Sequence, residues 1–230
     1  MAAKRAIGTL TGALAAIGAA VYYLTGTSAS AAPSTWTPRG TPDLRRTAST
    51  FTPTPHYTPG RSQRPNIVVI HTAEVGKTDT VAETLARAMG ASTREASAHY
   101  IVDRDSVVQS VNEGDTAWHA PGVNERGIGI EHAGYAKQTA SEWGDAYNRA
   151  MLALSARVSA EIADRWGIPV RRLTVEQVRA GESGFASHND VSKAFGRSNH
   201  WDPGPNFPWA WYLSQVTLNQ SAPFADRPIA

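Results

Sequence analysis

The sequence predicts an α/β domain whose mixed central β-sheet is flanked by helices, and three features predict it. Ile67-Val68-Val69-Ile70 is a continuous branched run, the pattern of a strand buried on both faces. Gly127 to His132 (GIGIEH) reads as a second strand, with Ile128, Ile130 and His132 on one face and Gly129 and Glu131 on the other. A helical stripe of Trp143, Tyr147, Met151, Leu154, Val158, Ile162 and Trp166 runs up to Gly167, with Pro169 beyond it. The chain has 230 residues, 41% hydrophobic and 18% charged, which excludes wholesale disorder and suits one good-sized core.

The N-terminus reads as an address. Lys4 and Arg5 precede an uncharged run from Ala6 to Leu24, and Ala29-Ser30-Ala31 fits a small-residue cleavage signal. Residues 1–32 are therefore expected to be a secretory signal peptide. The alternative is an uncut membrane segment in contact with the bilayer, although Gly8, Gly12 and Gly18 dilute its apolar character. Both readings make the remainder secreted or part of the cell envelope. Residues 33–50 are Pro/Thr-rich without apolar period and read as a linker. The folded domain is expected over residues 51–218, with a tail over 219–230.

Inside that domain, Thr80-x-x-Glu83 has capping-box spacing ahead of Val81, Leu85 and Met89. His99 to Val102 and Val107 to Val111 flank Arg104-Asp105-Ser106 as a hairpin. Thr139-x-x-Glu142 opens the longest helix and Thr174-x-x-Gln177 a shorter one, and a C-terminal helix is expected to start near Trp209 and Trp211.

Composition narrows the chemistry. There are no cysteines, which excludes disulfides, thiolate zinc sites, iron–sulfur clusters and cysteine nucleophiles. The formal net charge of +2 comes from Lys4 and Arg5, and the rest is neutral without a basic stripe, so no nucleic-acid partner is expected. Chemistry must then fall to residues such as the seven histidines. His188, His200 and Asp202 occupy one stretch that looks like loop, closed by Asp202-Pro203-Gly204-Pro205. Two imidazoles and a carboxylate suit zinc with an open fourth position.

Several motifs in order resemble the amidase-2 family, the zinc-dependent N-acetylmuramoyl-L-alanine amidases, whose fold is shared with the peptidoglycan recognition proteins. They are His71-Thr72-Ala73 after the apolar strand, Ser97-Ala98-His99-Tyr100, Ala117-Trp118-His119-Ala120, Ile128-Gly129-Ile130-Glu131, Ser187-His188-Asn189-Asp190 and Asp202-Pro203-Gly204-Pro205. The resemblance runs from about Phe51 to Leu213. It implies one Zn²⁺ per chain held by His71, His188 and Asp202, with Glu131 acting on the attacking water and His200 steadying the oxyanion. It also implies peptidoglycan as substrate, cut between N-acetylmuramic acid and the L-Ala of the stem peptide. Ala98 stands where the recognition proteins carry a tyrosine, which fits the branch that uses the glutamate. His188 and Asp202 are farther apart than in the most compact members, so a bulging loop is expected over Ser192 to Ser198.

Each assignment has a competing reading. Glu131 could instead pair with Arg126, and His200 could replace Asp202 as third ligand. Gly129 is expected to leave room for substrate beside Glu131. Trp118, His119 and Trp201 are candidates to stack on sugar or peptide in the groove, whereas Trp209 and Trp211 read as packing residues. His99, His132 and Asp190 are expected to support the sheet or the ligands from behind. For the whole chain, an enzyme competes with a non-catalytic muropeptide-binding module and with a hydrolase of another amide or ester. The intact set of His71, His188 and Asp202 favours the enzyme, as a monomer.

Overall fold

A computed structural model describes residues 42–221; the signal-peptide segment, residues 33–41 and residues 222–230 lie outside them. The strands are β1 (Thr50–Phe51), β2 (Tyr57–Thr58), β3 (Ile67–Thr72), β4 (Tyr100–Val102), β5 (Val107–Gln109), β6 (Thr116–Ala117), β7 (Gly127–His132) and β8 (Gly184–Ser187). The helices are α1 (Val81–Ala91), α2 (Ala140–Trp143), α3 (Ala146–Trp166), α4 (Val175–Arg179), α5 (His188–Phe195) and α6 (Trp209–Ser221). The main sheet runs β1-β5-β4-β7-β3-β8, and β2 pairs with β6 as a small separate ribbon. Its strands pair in parallel except for the β4–β5 hairpin, so the expected mixed α/β architecture is observed.

Alternation along the strands sorts the core. Val68, Ile70, Ile128 and Ile130 pack with Met151, Ile162 and Tyr212 of α3 and α6. On the other face, Ile67, Val69 and Ala186 meet Val178 and Val191 of α4 and α5. Ile101 and Val108 meet Ala82 and Leu85 of α1. The β3–β7 register sets Val69 opposite Gly129 and His71 opposite Glu131, so the two polar residues emerge together near the strand ends. Register decides this pairing, because a one-residue slip would turn one of them into the core.

Three elements differ from expectation. The helix opened by Thr139 is interrupted: α2 has its full capping box but stops at Gly144. Asp145, accepting from the Asn148 N–H, starts α3 afresh, and α3 ends at Gly167 in the left-handed region. The stretch after Ser187 is helix, not loop. Ser187 and Asp190 form a reciprocal capping box, α5 runs to Phe195, and Gly196 ends it at φ 63°. The extra length before Asp202 is thus taken up largely by helical turns. At α1, Thr80 makes no side-chain cap bond, and the buried Asp103 carboxylate instead accepts the Ala82 N–H at 3.0 Å.

The linker expected over residues 33–50 is corrected for its described part. Leu44 is buried in the core, and Thr50 and Phe51 pair in parallel with Val108 and Gln109. The Asp43 N–H donates to Gln109 Oε1 at 2.7 Å, and the Asp43 carboxylate accepts from the Glu113 N–H at 2.7 Å. The carboxylate of Glu161 on α3 accepts the backbone N–H groups of Arg45, Arg46 and Thr47 at 2.7, 3.0 and 2.6 Å. Three charge-assisted bonds on one buried acceptor give a direct expectation. Glu161→Ala should cost about 3 kcal/mol of stability and open the Arg45–Arg46 segment to trypsin. An unchanged melting temperature with an uncut segment would show that this contact holds nothing. The domain also extends three residues past the expected end at 218, because α6 reaches Ser221. Among the described residues no helix is long and apolar enough to cross a membrane.

Candidate active site

Three separate elements deliver the candidate ligands to one point. His71 sits near the end of β3, His188 is the first residue of α5, and Asp202 follows in the loop before α6. Their donor atoms all lie within 4.8 Å of one another, and all three residues are buried. Asp202 Oδ2 is 3.1 Å from His71 Nδ1, and Oδ1 is 3.4 Å from His188 Nδ1. A tetrahedral zinc with bonds of about 2.05 Å separates its ligand atoms by about 3.3 Å. Two imidazoles and one carboxylate at that spacing therefore fit a zinc ion and leave a fourth position open.

The surrounding charges agree with a cation site. Asp202 is held well below the usual carboxylate range: burial pushes it up, but hydrogen bonds from His188, His200 and His71 prevail. Burial lowers His71, yet its bond to Asp202 and the charges of Glu131 and Asp202 leave it raised overall. Burial takes His188 down to about 4, so it is a neutral imidazole ready to ligate.

Glu131 lies beside His71 on the floor of the groove. It is buried, and its Oε2 has no hydrogen-bond partner among the described residues. The competing salt bridge to Arg126 is not formed, because that guanidinium donates to Asn66 Oδ1 and to the Val178 carbonyl. Burial, against the pull of His71 and with help from Asp202, raises the Glu131 carboxyl to about 7. The folded carboxyl thus keeps its proton more tightly than the unfolded one, with its ordinary value of 4.5. The metal-free domain should lose stability as pH rises from about 4.5 to about 7, by about 3 kcal/mol from this group. Glu131→Gln removes that burden, so metal-free Glu131→Gln should melt above wild type at pH 8 and level with it at pH 4. Identical melting curves at both pH values would contradict a carboxyl so strained.

His200 stacks on His188, with ring centroids 4.4 Å apart and planes 12° apart, and places Nδ1 3.4 Å from Asp202 Oδ1. It lines the groove beside His188, approaching the same Asp202 oxygen. The groove has a volume of about 370 Å³, and Trp201, 49% exposed, stands at its rim. Residues that sequence reasoning missed complete the walls. Leu85, Ala88 and Met89 come from α1, and Glu74 and Arg94 bring opposite charges. The helical spacing of Leu85 and Met89 was legible, but their exposure to a groove was not.

Other expected site residues fall elsewhere. Trp118 does not line the groove: its indole N–H donates to Thr58 Oγ1 at 3.0 Å and its ring tilts against His56, over the β2–β6 ribbon. His119, the next residue, turns inward to 1% exposure and cannot stack on substrate. Asp190 does not touch His188. Its carboxylate accepts from Ser187 and Arg172, so it fixes the helix end on which His188 rides. His132 bonds the His71 carbonyl through Nδ1 at 2.9 Å and Ser155 Oγ through Nε2 at 2.7 Å, which ties the ligand-bearing strand to α3. His99 accepts the Gly129 N–H at Nδ1 and meets Arg61 at Nε2, with no ligand side chain in contact. Gly129 does not open the groove to substrate, since the His119 ring fills the space where a Cβ would stand.

Fold and site together define a class: a mixed-sheet α/β domain with a donor set that could hold a metal ion in a groove. Residues 61–205 match the amidase-2 family, described as N-acetylmuramoyl-L-alanine amidase, and the chain belongs to that family. A curated relative, N-acetylmuramoyl-L-alanine amidase A of Achromobacter lyticus, is 32% identical over 135 residues, covering 53% of this chain and 69% of the relative. Among solved structures, the Staphylococcus aureus hydrolase AmiA in complex with its ligand aligns with a TM-score of 0.58 at 16% identity, over 79% of this chain and 90% of that one. A selenomethionine AmpD derivative aligns with a TM-score of 0.54 at 22% identity, over 73% and 94%. Both share the fold.

Proposed function

We propose that this chain cuts the amide bond between the lactyl group of N-acetylmuramic acid and the L-Ala of the stem peptide, with one zinc ion held by His71, His188 and Asp202. The observation that carries this reading is the convergence of those three donors beside a buried carboxylate in an open groove. When bound there, zinc acidifies water and polarises a carbonyl. Glu131 is the general base: its carboxylate takes a proton from the attacking water and passes it to the departing L-Ala nitrogen. Its high proton affinity suits both halves of that transfer, and a cation bound beside it would favour the ionised form. His200, stacked on His188 at the groove, offers a hydrogen-bonding ring nitrogen where the oxyanion develops. The exposed Trp201 ring provides an apolar face at the rim for sugar or peptide.

The test is digestion of purified peptidoglycan by the zinc-loaded chain, with products read by mass spectrometry. Stem peptides with a free N-terminal L-Ala, lost on chelation and restored by zinc, are expected. Tight sedimentation with the wall and no released peptide would point to a binding module instead. The reading places the protein in the envelope or outside the cell, with residues 1–32 as export signal or membrane segment and the domain acting as a monomer. N-terminal sequencing should find a start near Ala32, and light scattering should give the mass of one chain. An intact Met1 in an unexported protein would reject the export reading.

A further inference from the structure

Two sequence motifs that look independent share one structural purpose. His119, from Ala117-Trp118-His119-Ala120, puts Nδ1 3.1 Å from Nε2 of His71, with the two rings edge to face at 5.3 Å and 88°. The opposite nitrogen of His71, Nδ1, is the one that faces Asp202. The His71 ring is therefore held between the candidate metal position on one side and His119 on the other.

The His119 ring has little freedom to leave. The backbone N–H groups of His119 and Ala120 both donate to Asn124 Oδ1, at 3.1 and 2.7 Å. The ring itself lies on β7, over two residues without side chains. A Cβ at Gly129 would come within 2.6 Å of His119 Cγ and 2.7 Å of Nδ1. A Cβ at Gly127 would come within 2.8 Å of the Val123 carbonyl oxygen and 3.0 Å of His119 Cε1 and Nε2. Neither glycine has a positive φ, so its own backbone conformation does not demand glycine. At Gly129 the His119 ring does, and at Gly127 the Val123 carbonyl and the ring do together.

A neutral imidazole has one N–H and one lone pair. If His71 turns the Nδ1 lone pair toward a metal, its proton must sit on Nε2, and the atom waiting there is His119 Nδ1. With the proton on Nδ1 instead, His71 could not ligate through that atom. We infer that His119 is a positioning residue that accepts the Nε2–H of His71, fixing its tautomer and ring plane for metal binding, and that Gly129 is the seat cut for its ring. This rests on the metal reading above.

Zinc affinity of the full chain, measured by competition with a chromophoric chelator, tests it. His119→Leu fills similar space without an acceptor, and Gly129→Ala drives the ring off its seat. Both should weaken zinc binding by about 10–100-fold. His119→Asn can present Oδ1 near the place of Nδ1 and should recover most of the loss, which a purely space-filling role for His119 would not allow. Zinc affinity of His119→Leu within twofold of wild type would overturn the inference, as would His119→Asn binding no better than His119→Leu. Wild type that takes up no zinc would reject the metal reading itself, and this inference with it.

Discussion

Turnover is expected to fall by about 10²–10⁴-fold when Glu131 is replaced by glutamine, with zinc uptake unchanged. The size of the effect follows from what surrounds the carboxylate. It is the acid beside His71 in strand register, and its Oε2 has no partner among the described residues, so it is not committed to a structural ion pair. Burial of such a group costs stability, which a folded chain tolerates where the group does work. Glutamine keeps the shape and removes both the cost and the base. The variant should therefore be slower and, without metal at pH 8, more stable. The two results together separate catalysis from damage, because a merely misfolded variant loses rate and stability together. The acid side of the wild-type pH–rate profile should also belong to this group, with the rate falling as pH drops and that limb missing from any residual Glu131→Gln activity. Wild-type turnover in Glu131→Gln would remove the residue from the mechanism.

How far the sequence announced these features depended on whether a residue's partner was local. β3, the β4–β5 hairpin and β7 could be read because burial writes itself into apolar runs and alternation, and the end of α3 because Gly167 and Pro169 mark it. α5 was harder: Asn189, Asp190 and Lys193 dilute its apolar face, and its capping box uses Asp190 where Glu or Gln is the familiar third residue. The strap over residues 42–51 carried no pattern of its own, since it is held by backbone N–H groups bonding to Glu161, more than 110 residues away. Trp118 and His119 show the same limit at the site. Adjacent residues after a short strand must diverge, but only the packing of β7 decides which one turns inward. Seen from the sequence, Gly129 and His119 were two motifs. In the fold they are one contact.

Asp202→Ala should lose zinc by on the order of a thousandfold, roughly 4 kcal/mol, and with it all measurable activity. The aspartate is the hub of the donor set: its two oxygens reach His71 at 3.1 Å and both His188 and His200 at 3.4 Å. Removing it leaves two imidazoles of the donor set and no anionic ligand among them to offset a dication. The rival reading makes His200 the third ligand, and the geometry weighs against it. His200 stacks parallel to His188 and lies outside the convergent donor set. His200→Ala should then keep its zinc and lose about 10²–10³-fold in turnover, the cost of one donor at a developing oxyanion. The pair of variants is decisive because the rival predicts the reverse order. Full zinc occupancy in Asp202→Ala with loss in His200→Ala would move the ligand role two residues upstream and leave Asp202 as the group that orients three histidines.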